Sequence, residues 1–125
     1  MTDEATIRIK VQLYCGGEIA MGPGKADLLE AIEAHGSISA AGRVLGMSYR
    51  RAWLLVDTMN RCWREPLVDT FPGGAHGHGA RLSALGGKVL RRYRDLQGQL
   101  DGAGQGTFAE LADAMLARPK VSQKA

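Results

Sequence analysis

The fold of this chain is decided by residues 36–53, which read Gly36-Ser37-Ile38-Ser39-Ala40-Ala41-Gly42-Arg43-Val44-Leu45-Gly46-Met47-Ser48-Tyr49-Arg50-Arg51-Ala52-Trp53. This pattern predicts two short helices joined by a tight turn. Ser37 and Ser48 are suited to begin them, because a serine hydroxyl accepts a hydrogen bond from a free backbone N–H of the first turn. Gly46 favours the end of the first helix, since glycine adopts a left-handed backbone at little cost.

Apolar residues recur at helical spacing on both sides of this turn. Ile38, Ala41 and Leu45 precede it, and Ala52, Val56, Met59 and Trp63 follow it. Intervals of three and four place each set on one face of a helix. The small residues Gly42 and Ala52 allow the two backbones to approach. The segment therefore predicts a helix-turn-helix unit, whose second helix can enter the major groove of DNA.

Charge is distributed unevenly along the chain. The whole sequence carries 16 Lys and Arg against 13 Asp and Glu, a net charge of +3. Residues 43–94 hold ten basic and three acidic side chains, whereas residues 1–42 and 95–125 are each net acidic. A phosphate backbone attracts a cationic surface and releases counterions on binding, so this surplus favours double-stranded DNA as a partner. The alternative is a solvated face kept charged for solubility.

The length of 125 residues is that of one domain. No apolar run reaches transmembrane length, and the first residues lack the basic and apolar regions of a signal peptide. We therefore expect a cytoplasmic protein with no membrane partner. Two cysteines do not make a disulfide framework, and we expect Cys15 and Cys62 to be buried or inert thiols.

The predicted architecture is α+β and mainly helical, within a single domain over 1–125. Its expected parts are a β-hairpin over 5–21, a three-helix core with the helix-turn-helix over 24–63, a wing over 67–82, a C-terminal helical dimerisation region over 83–117 and a frayed tail over 118–125. The first strand is expected to run from Ile7 to Cys15, where apolar and polar residues alternate. Two strands joined by a glycine-rich tip are expected after the second helix of the helix-turn-helix. This arrangement is typical of a wing.

Candidate DNA-binding residues cluster at the start of the helix that Ser48 caps. Arg50 or Arg51 has the donors to bind guanine O6 and N7, a contact that discriminates between bases by ~1–3 kcal/mol. Tyr49 can pack on sugars or thymine methyl groups. Trp53 has two interpretations, the same contact as Tyr49 or core packing with a paired indole N–H.

Further candidates lie around this helix. Arg43 is expected to contact phosphate, which positions the protein without reading sequence. Arg81, at the base of the wing, is a candidate for phosphate or the minor groove. The remaining candidates are Ser37 and Ser39 before the turn and His76 and His78 at the wing tip.

The sequence points to no catalysis and no cofactor. His76 and His78 can both reach a zinc ion, but no suitably spaced Cys or His completes three or four ligands, so we expect phosphate contact and no metal. The glycine-rich stretches lack the spacing of a nucleotide-binding loop. No carboxylate pair or nucleophile–base arrangement is evident, and the protein is expected not to be an enzyme.

A long helix after Ser83 carries an apolar stripe formed by Leu85, Val89, Tyr93, Leu96 and Leu100. Part of it belongs to the domain's own core, but its far end lies well beyond the wing. Pairing of this helix across a two-fold axis predicts a homodimer that reads two half-sites of a palindromic operator. Gly86 and Gly87 weaken the helix start by about 1 kcal/mol each relative to alanine, which suggests close packing or a bend.

The chain from about Ile7 to Leu100 closely resembles the N-terminal DNA-binding domain of the ModE family, molybdate-responsive transcriptional regulators related to the LysR winged-helix group. The motifs that carry the resemblance are Gly36-Ser37-Ile38-Ser39, Met47 to Trp53, Met59-Asn60, and the wing from Gly73-Gly74 to Gly79-Ala80 leading into Leu82-Ser83 and Gly86. The resemblance implies a dimeric bacterial repressor or activator of molybdenum uptake and molybdoenzyme genes. It also implies that the N-terminal strand and the last long helix help form the dimer.

The full-length family members carry C-terminal molybdate-binding domains, and no positions of this sequence correspond to them. The resemblance therefore predicts no molybdate site here. Three accounts stay open: a stand-alone family member, a regulator that senses through a separate effector-binding protein, or a shortened piece of a longer regulator. Two other functions are a winged-helix module that binds proteins and a metal-responsive regulator that uses the wing histidines.

Overall fold

The computed structural model describes residues 4–73 and 78–122. Within these ranges the helices are α1 (Pro23–His35), α2 (Ile38–Val44), α3 (Tyr49–Cys62), α4 (Ala84–Ala103) and α5 (Gln105–Ala114). The strands are β1 (Leu13–Cys15), β2 (Glu18–Met21), β3 (Val68–Pro72) and β4 (His78–Leu82). β1 pairs with β2 and β3 with β4, in two separate antiparallel hairpins. The predicted order of hairpin, three helices, wing and C-terminal helices is observed.

The N-terminal strand is shorter than predicted. β1 covers Leu13–Cys15, and residues 4–12 adopt neither strand nor helix. The reason is the length of its partner, because β2 ends at Met21 and α1 begins at Pro23. The preceding residues instead follow the C-terminal helices, where the Val11 carbonyl accepts a 2.6 Å hydrogen bond from the Tyr93 hydroxyl. The alternation of apolar and polar residues predicts a strand from Ile7 to Cys15, but only Leu13–Cys15 pairs with β2.

Helix α1 forms the centre of the core. Leu28, Leu29 and Ile32 are fully buried, and the helix packs against α2, α4 and β4. It begins at Pro23, because proline fits the first turn, where its missing N–H is not needed. It ends at His35, and the next residue, Gly36, forms a left-handed cap with a φ of 76°.

Helix α4 is attached to the core by both packing and charge. Its Arg94 guanidinium binds Asp27 at 2.8 Å and Glu30 at 2.7 Å, so two carboxylates of α1 hold it. Burial raises the pKa of Tyr93, which keeps the hydroxyl protonated as the donor to Val11. No helix in the described part of the chain combines the length and apolar character needed to cross a membrane.

The predicted apolar stripe of α4 divides into two parts. Val89 and Tyr93 are buried in the chain's own core, at 9% and 3% exposure. Leu85 and Leu96 are half-buried, and Leu100 is 39% exposed. Helix α5 follows after Gly104 and contains no buried residue. The part of the stripe that remains accessible therefore lies at Leu85, Leu96 and Leu100.

The start of α4 touches the start of the wing. Ser83 caps the helix by accepting a 2.9 Å hydrogen bond from the Gly86 N–H. A Cβ atom placed on Gly86 would overlap the carbonyl oxygen of Leu67, so this position requires glycine. At Gly87 the same atom would meet only the flexible end of Arg91, at 3.0 Å. Close packing, one of the two expectations for this glycine pair, is thus found at Gly86.

We predict that Gly86→Ala destabilises the fold by about 2–3 kcal/mol, because the Leu67 backbone must move away. Gly87→Ala is the matched control, since it adds the same methyl group one residue later and gains up to about 1 kcal/mol of helix propensity. Urea unfolding of both variants at equal protein concentration measures the difference. Equal stability of the two variants would show that the contact between α4 and Leu67 is not tight.

Candidate nucleic-acid interface

Two serine caps and one glycine shape the helix-turn-helix. The Ser37 hydroxyl accepts a 3.0 Å hydrogen bond from the Ala40 N–H, and the Ser48 hydroxyl accepts a 3.1 Å bond from the Arg51 N–H. Gly46 has a φ of 72° in the turn between α2 and α3. The predicted caps and the predicted left-handed turn are therefore all present.

The two helices approach most closely at their small residues. A Cβ atom placed on Gly42 would lie 3.1 Å from the Ala52 Cβ, tighter than ordinary van der Waals contact. The Met47 N–H also donates a 2.9 Å hydrogen bond to the Gly42 carbonyl. Ala52, Val56 and Met59 lie on the buried face of α3. This packing fixes which face of α3 points outward.

The outward face begins with the first turn of α3. Tyr49 is 57% exposed, and Arg50 and Arg51 are exposed beside it. Arg43, in the last turn of α2, is exposed as well. Within residues 4–73 and 78–122, no carboxylate lies within 4.0 Å of these three guanidinium groups. The first turn is thus an accessible cationic surface.

Trp53 lies one helical turn further along this face and is 46% exposed. Of its two interpretations from sequence, core packing is wrong. Trp63 has the core role instead, since it packs against the buried cluster and its indole N–H donates a 3.1 Å hydrogen bond to the Ala20 carbonyl. Tyr49 and Trp53 therefore add two aromatic rings to the exposed surface of α3.

A groove of about 480 Å³ separates α3 from the wing. Its lining residues are Ser37, Ile38, Ser39, Tyr49, Trp53, Thr70, His78, Gly79 and Ala80. The structure thus brings together five of the predicted contact residues, which come from α2 and its cap, from α3 and from β4: Ser37, Ser39, Tyr49, Trp53 and His78. His76, the other predicted wing-tip histidine, lies outside the described residues.

The wing is a regular hairpin whose register runs from Val68 opposite Leu82 to Pro72 opposite His78. The Phe71 ring covers Gly79, and the Arg81 guanidinium lies 5.0 Å from the centre of that ring. This cation–π contact holds Arg81 exposed on the outer surface of the hairpin. The Ala80 N–H donates a 2.8 Å hydrogen bond to the Gly36 carbonyl, which attaches the wing to the end of α1.

Several of the basic residues counted in the sequence have acidic partners elsewhere. Arg61 pairs with Asp57 at 3.0 Å and with Glu18 at 3.9 Å, and Arg92 pairs with Asp95 at 3.1 Å. Arg94 is held by α1. The regional charge surplus therefore overstates the free positive charge, which includes the exposed Arg43, Arg50 and Arg51 at the helix-turn-helix.

The described residues contain no group of three or more His, Cys, Asp or Glu side chains arranged to hold a metal ion. His78 contributes to the groove beside α3 instead.

Comparison with known proteins identifies relatives over most of the chain. The molybdenum transport protein ModE of Azotobacter vinelandii is 42% identical over 78 residues, which is 62% of this chain and 29% of the relative. The DNA-binding transcriptional dual regulator ModE of Escherichia coli K12 is 32% identical over 108 residues, 86% of this chain and 37% of the relative. The chain is homologous to the ModE regulators. No family model matches the sequence.

A solved structure supports the same fold. The protein chain of a CbnR DBD–DNA complex has a TM-score of 0.51 over 74% of this chain and 97% of its own length, at 21% sequence identity. At this identity the likeness establishes the winged-helix fold alone. The alignments with ModE span less than two fifths of those relatives. The resemblance to the ModE DNA-binding domain is confirmed.

Asn60 has a role in the structure that the sequence did not indicate. Its side-chain oxygen accepts hydrogen bonds from the Leu67 N–H at 2.9 Å and the Val68 N–H at 3.1 Å. Its side-chain nitrogen donates to the Val68 carbonyl at 3.1 Å. One amide thus connects the last turns of α3 to the first residues of the wing. In the sequence, the only feature that bears on this role is the position of a polar residue next to Met59, on the apolar face of the helix.

We predict that Asn60→Ala destabilises the fold by about 2 kcal/mol, because two backbone N–H groups and one carbonyl lose their partner. Thr58→Ala is the control on the same helix, since the Thr58 hydroxyl only donates to the Leu54 carbonyl on the exposed side. Urea unfolding measures both variants, and amide hydrogen exchange at Leu67 and Val68 reports the local effect. Unchanged protection of these two amides in Asn60→Ala would contradict this role.

Proposed function

We propose that this chain binds DNA sequence-specifically and acts as a transcriptional regulator. The observation that carries the proposal is the exposed, cationic and aromatic first turn of α3, which lies beside a groove bordered by the wing. The dimensions of a B-DNA major groove admit a helix presented in this way. The homology to ModE supports the proposal, because the Escherichia coli relative is a DNA-binding transcriptional regulator.

Within this proposal, α3 reads bases with its first two turns. Arg50 or Arg51 donates two hydrogen bonds to guanine O6 and N7, since a guanidinium matches that pair of acceptors. Tyr49 and Trp53 contact thymine methyl groups or sugars with their exposed rings. Ser48 serves as the helix cap, and its hydroxyl hydrogen is free to donate to a neighbouring phosphate.

The surrounding residues hold the DNA backbone. Arg43 on α2 contacts phosphate on one side of α3, and Arg81 on the wing contacts phosphate or the minor groove on the other. Ser37, Ser39 and His78 line the groove between them and have donors for phosphate oxygens. His76 is proposed for the same contact from the sequence alone. These contacts orient the protein without specifying bases.

We predict that Arg50→Ala weakens binding to a duplex selected from a random pool by about tenfold or more and relaxes the preference at one base pair. Arg8→Ala is the matched control, because it also removes one exposed positive charge but lies in the N-terminal segment. Fluorescence anisotropy across a range of salt concentrations measures affinity, which should fall steeply with salt for the parent protein. Arg50→Ala and Arg51→Ala variants that both bind as tightly as Arg8→Ala would contradict the assignment of α3 and favour a protein-binding role for the winged helix.

We also propose that the domain pairs with a second copy through α4. An apolar groove of about 340 Å³ lies along this helix. Its lining residues are Leu13, Trp63, Leu85, Lys88, Val89, Arg92, Tyr93 and Leu96. Leu100 extends the accessible apolar surface along the helix. A two-fold pairing here presents two α3 helices to a palindromic operator.

We predict that Leu96→Glu shifts the protein from dimer to monomer, because the pairing would bury a charge in an apolar groove. Leu111→Glu is the control, since Leu111 is 60% exposed on α5, away from the groove. Sedimentation velocity over a range of concentrations measures the change. A parent protein that stays monomeric at high concentration, or a Leu96→Glu variant that remains dimeric, would contradict the pairing through α4.

The names of several homologues connect them with molybdenum, which suggests molybdenum as the signal for regulation. Because the alignments cover less than two fifths of those proteins, we assign the recognition of molybdenum to no residue of the described chain.

A further inference from the structure

The two cysteines, which are far apart in sequence, meet at the C-terminal end of α3. Cys62 is the last residue of that helix, and both of its neighbours are bound to strand β2. Arg61 lies 3.9 Å from the Glu18 carboxylate, and the Trp63 indole donates to the Ala20 carbonyl. Across the hairpin, Cys15 is the direct pairing partner of Glu18. The hairpin therefore carries Cys15 to the side of Cys62.

The Cys15 thiol lies near enough to Cys62 to affect the ionisation of the Cys62 thiol. Burial, the largest cause, and contact with the Cys15 thiol both raise the pKa of Cys62. Both cysteines are free, and Cys15 is exposed whereas Cys62 is half-buried. Cys15 is therefore not buried, because the short β1 ends at the surface of the hairpin, and the expectation that the two thiols are inert stays a prediction. An exposed thiol beside a second, partly sheltered thiol is the usual arrangement of a reactive pair.

We propose that Cys15 and Cys62 form a reversible intramolecular disulfide that joins the N-terminal hairpin to the end of helix α3. The oxidant is a small disulfide such as oxidised glutathione. The Cys15 thiolate attacks one glutathione sulfur, which forms a mixed disulfide and releases one glutathione thiolate. The Cys62 thiolate then attacks the Cys15 sulfur and releases the second. Two protein thiols are oxidised, and one glutathione disulfide is reduced to two thiols.

The disulfide would close a loop over residues 16–61, which contains α1, α2 and nearly all of α3. Such a closure restricts the unfolded chain and stabilises the folded one. The exposed turn at Tyr49–Arg51 lies at the opposite end of α3, about 20 Å away along the helix axis. The bond therefore acts on the stability of the domain and leaves that surface accessible. The inference does not depend on the proposed function.

The experiment incubates the reduced full chain with oxidised glutathione and follows its intact mass. The expected product loses the mass of two hydrogen atoms and remains one chain on a non-reducing gel. Trypsin should then release residues 11–25 joined to residues 62–64, because Lys10, Lys25, Arg61 and Arg64 are the flanking cleavage sites. Dithiothreitol should restore the starting mass. The oxidised protein should melt roughly 5–10 °C higher than the reduced protein.

Cys15→Ser and Cys62→Ser are the matched controls, and neither can lose two hydrogen atoms within one chain. Cys62→Ser should stop at a glutathione adduct on Cys15. Closure of the parent protein should accelerate as pH rises toward the raised pKa of Cys62, since the thiolate is the attacking species.

A second probe tests proximity without oxidation. Phenylarsine oxide forms two arsenic–sulfur bonds with a neighbouring thiol pair and releases water, so it should remain bound to the reduced parent and wash away from either serine variant. Stable glutathione adducts at both cysteines, a disulfide between two chains, or no retention of the arsenical by the parent would overturn the proposal.

Discussion

The approach of α2 to α3 at Gly42 and Ala52 determines how the rest of the domain can be used. Because no larger side chain separates them, the two backbones come within contact of a single methyl group. The buried residues of α3 then pack toward α2, β2 and α1, and Tyr49 and Arg50 are exposed on the opposite face. A larger residue at position 42 would rotate or displace α3 and change which side chains are presented.

The wing depends on α3 and α4 for its position as much as on its own strand pairing. Asn60 binds the backbone of Leu67 and Val68 from one side. Gly86 brings the first turn of α4 against the Leu67 carbonyl from the other, and the Ser83 N–H donates to that same carbonyl at 2.9 Å. The base of the wing is therefore held between two helices. This explains how a two-stranded hairpin, which is only marginally stable alone, keeps a fixed place beside α3.

Local signals in the sequence were sufficient for much of this structure. The serine caps, the left-handed Gly46 and the hairpin of the wing depend on interactions between near neighbours, so short patterns predicted them. The length of β1 depends on where β2 stops, and the exposure of Trp53 depends on which tryptophan fills the core. These outcomes follow from packing between distant segments. Short sequence patterns also cannot predict the hydrogen bonds of Asn60 to the wing or the proximity of Cys15 to Cys62, because these contacts join segments that the fold brings together.

The contact of Arg94 with Asp27 and Glu30 has a consequence for symmetry. It joins α4 to α1, and α1 packs against α2 and α3, so the helix proposed for pairing and the helix proposed for reading bases belong to one packed body. In a pair of such bodies, the distance between the two α3 helices is set by how the α4 helices cross and has little freedom to adjust. The angle at which the two α4 helices cross, rather than the length of a flexible linker, then determines which separation of operator half-sites the pair can bind.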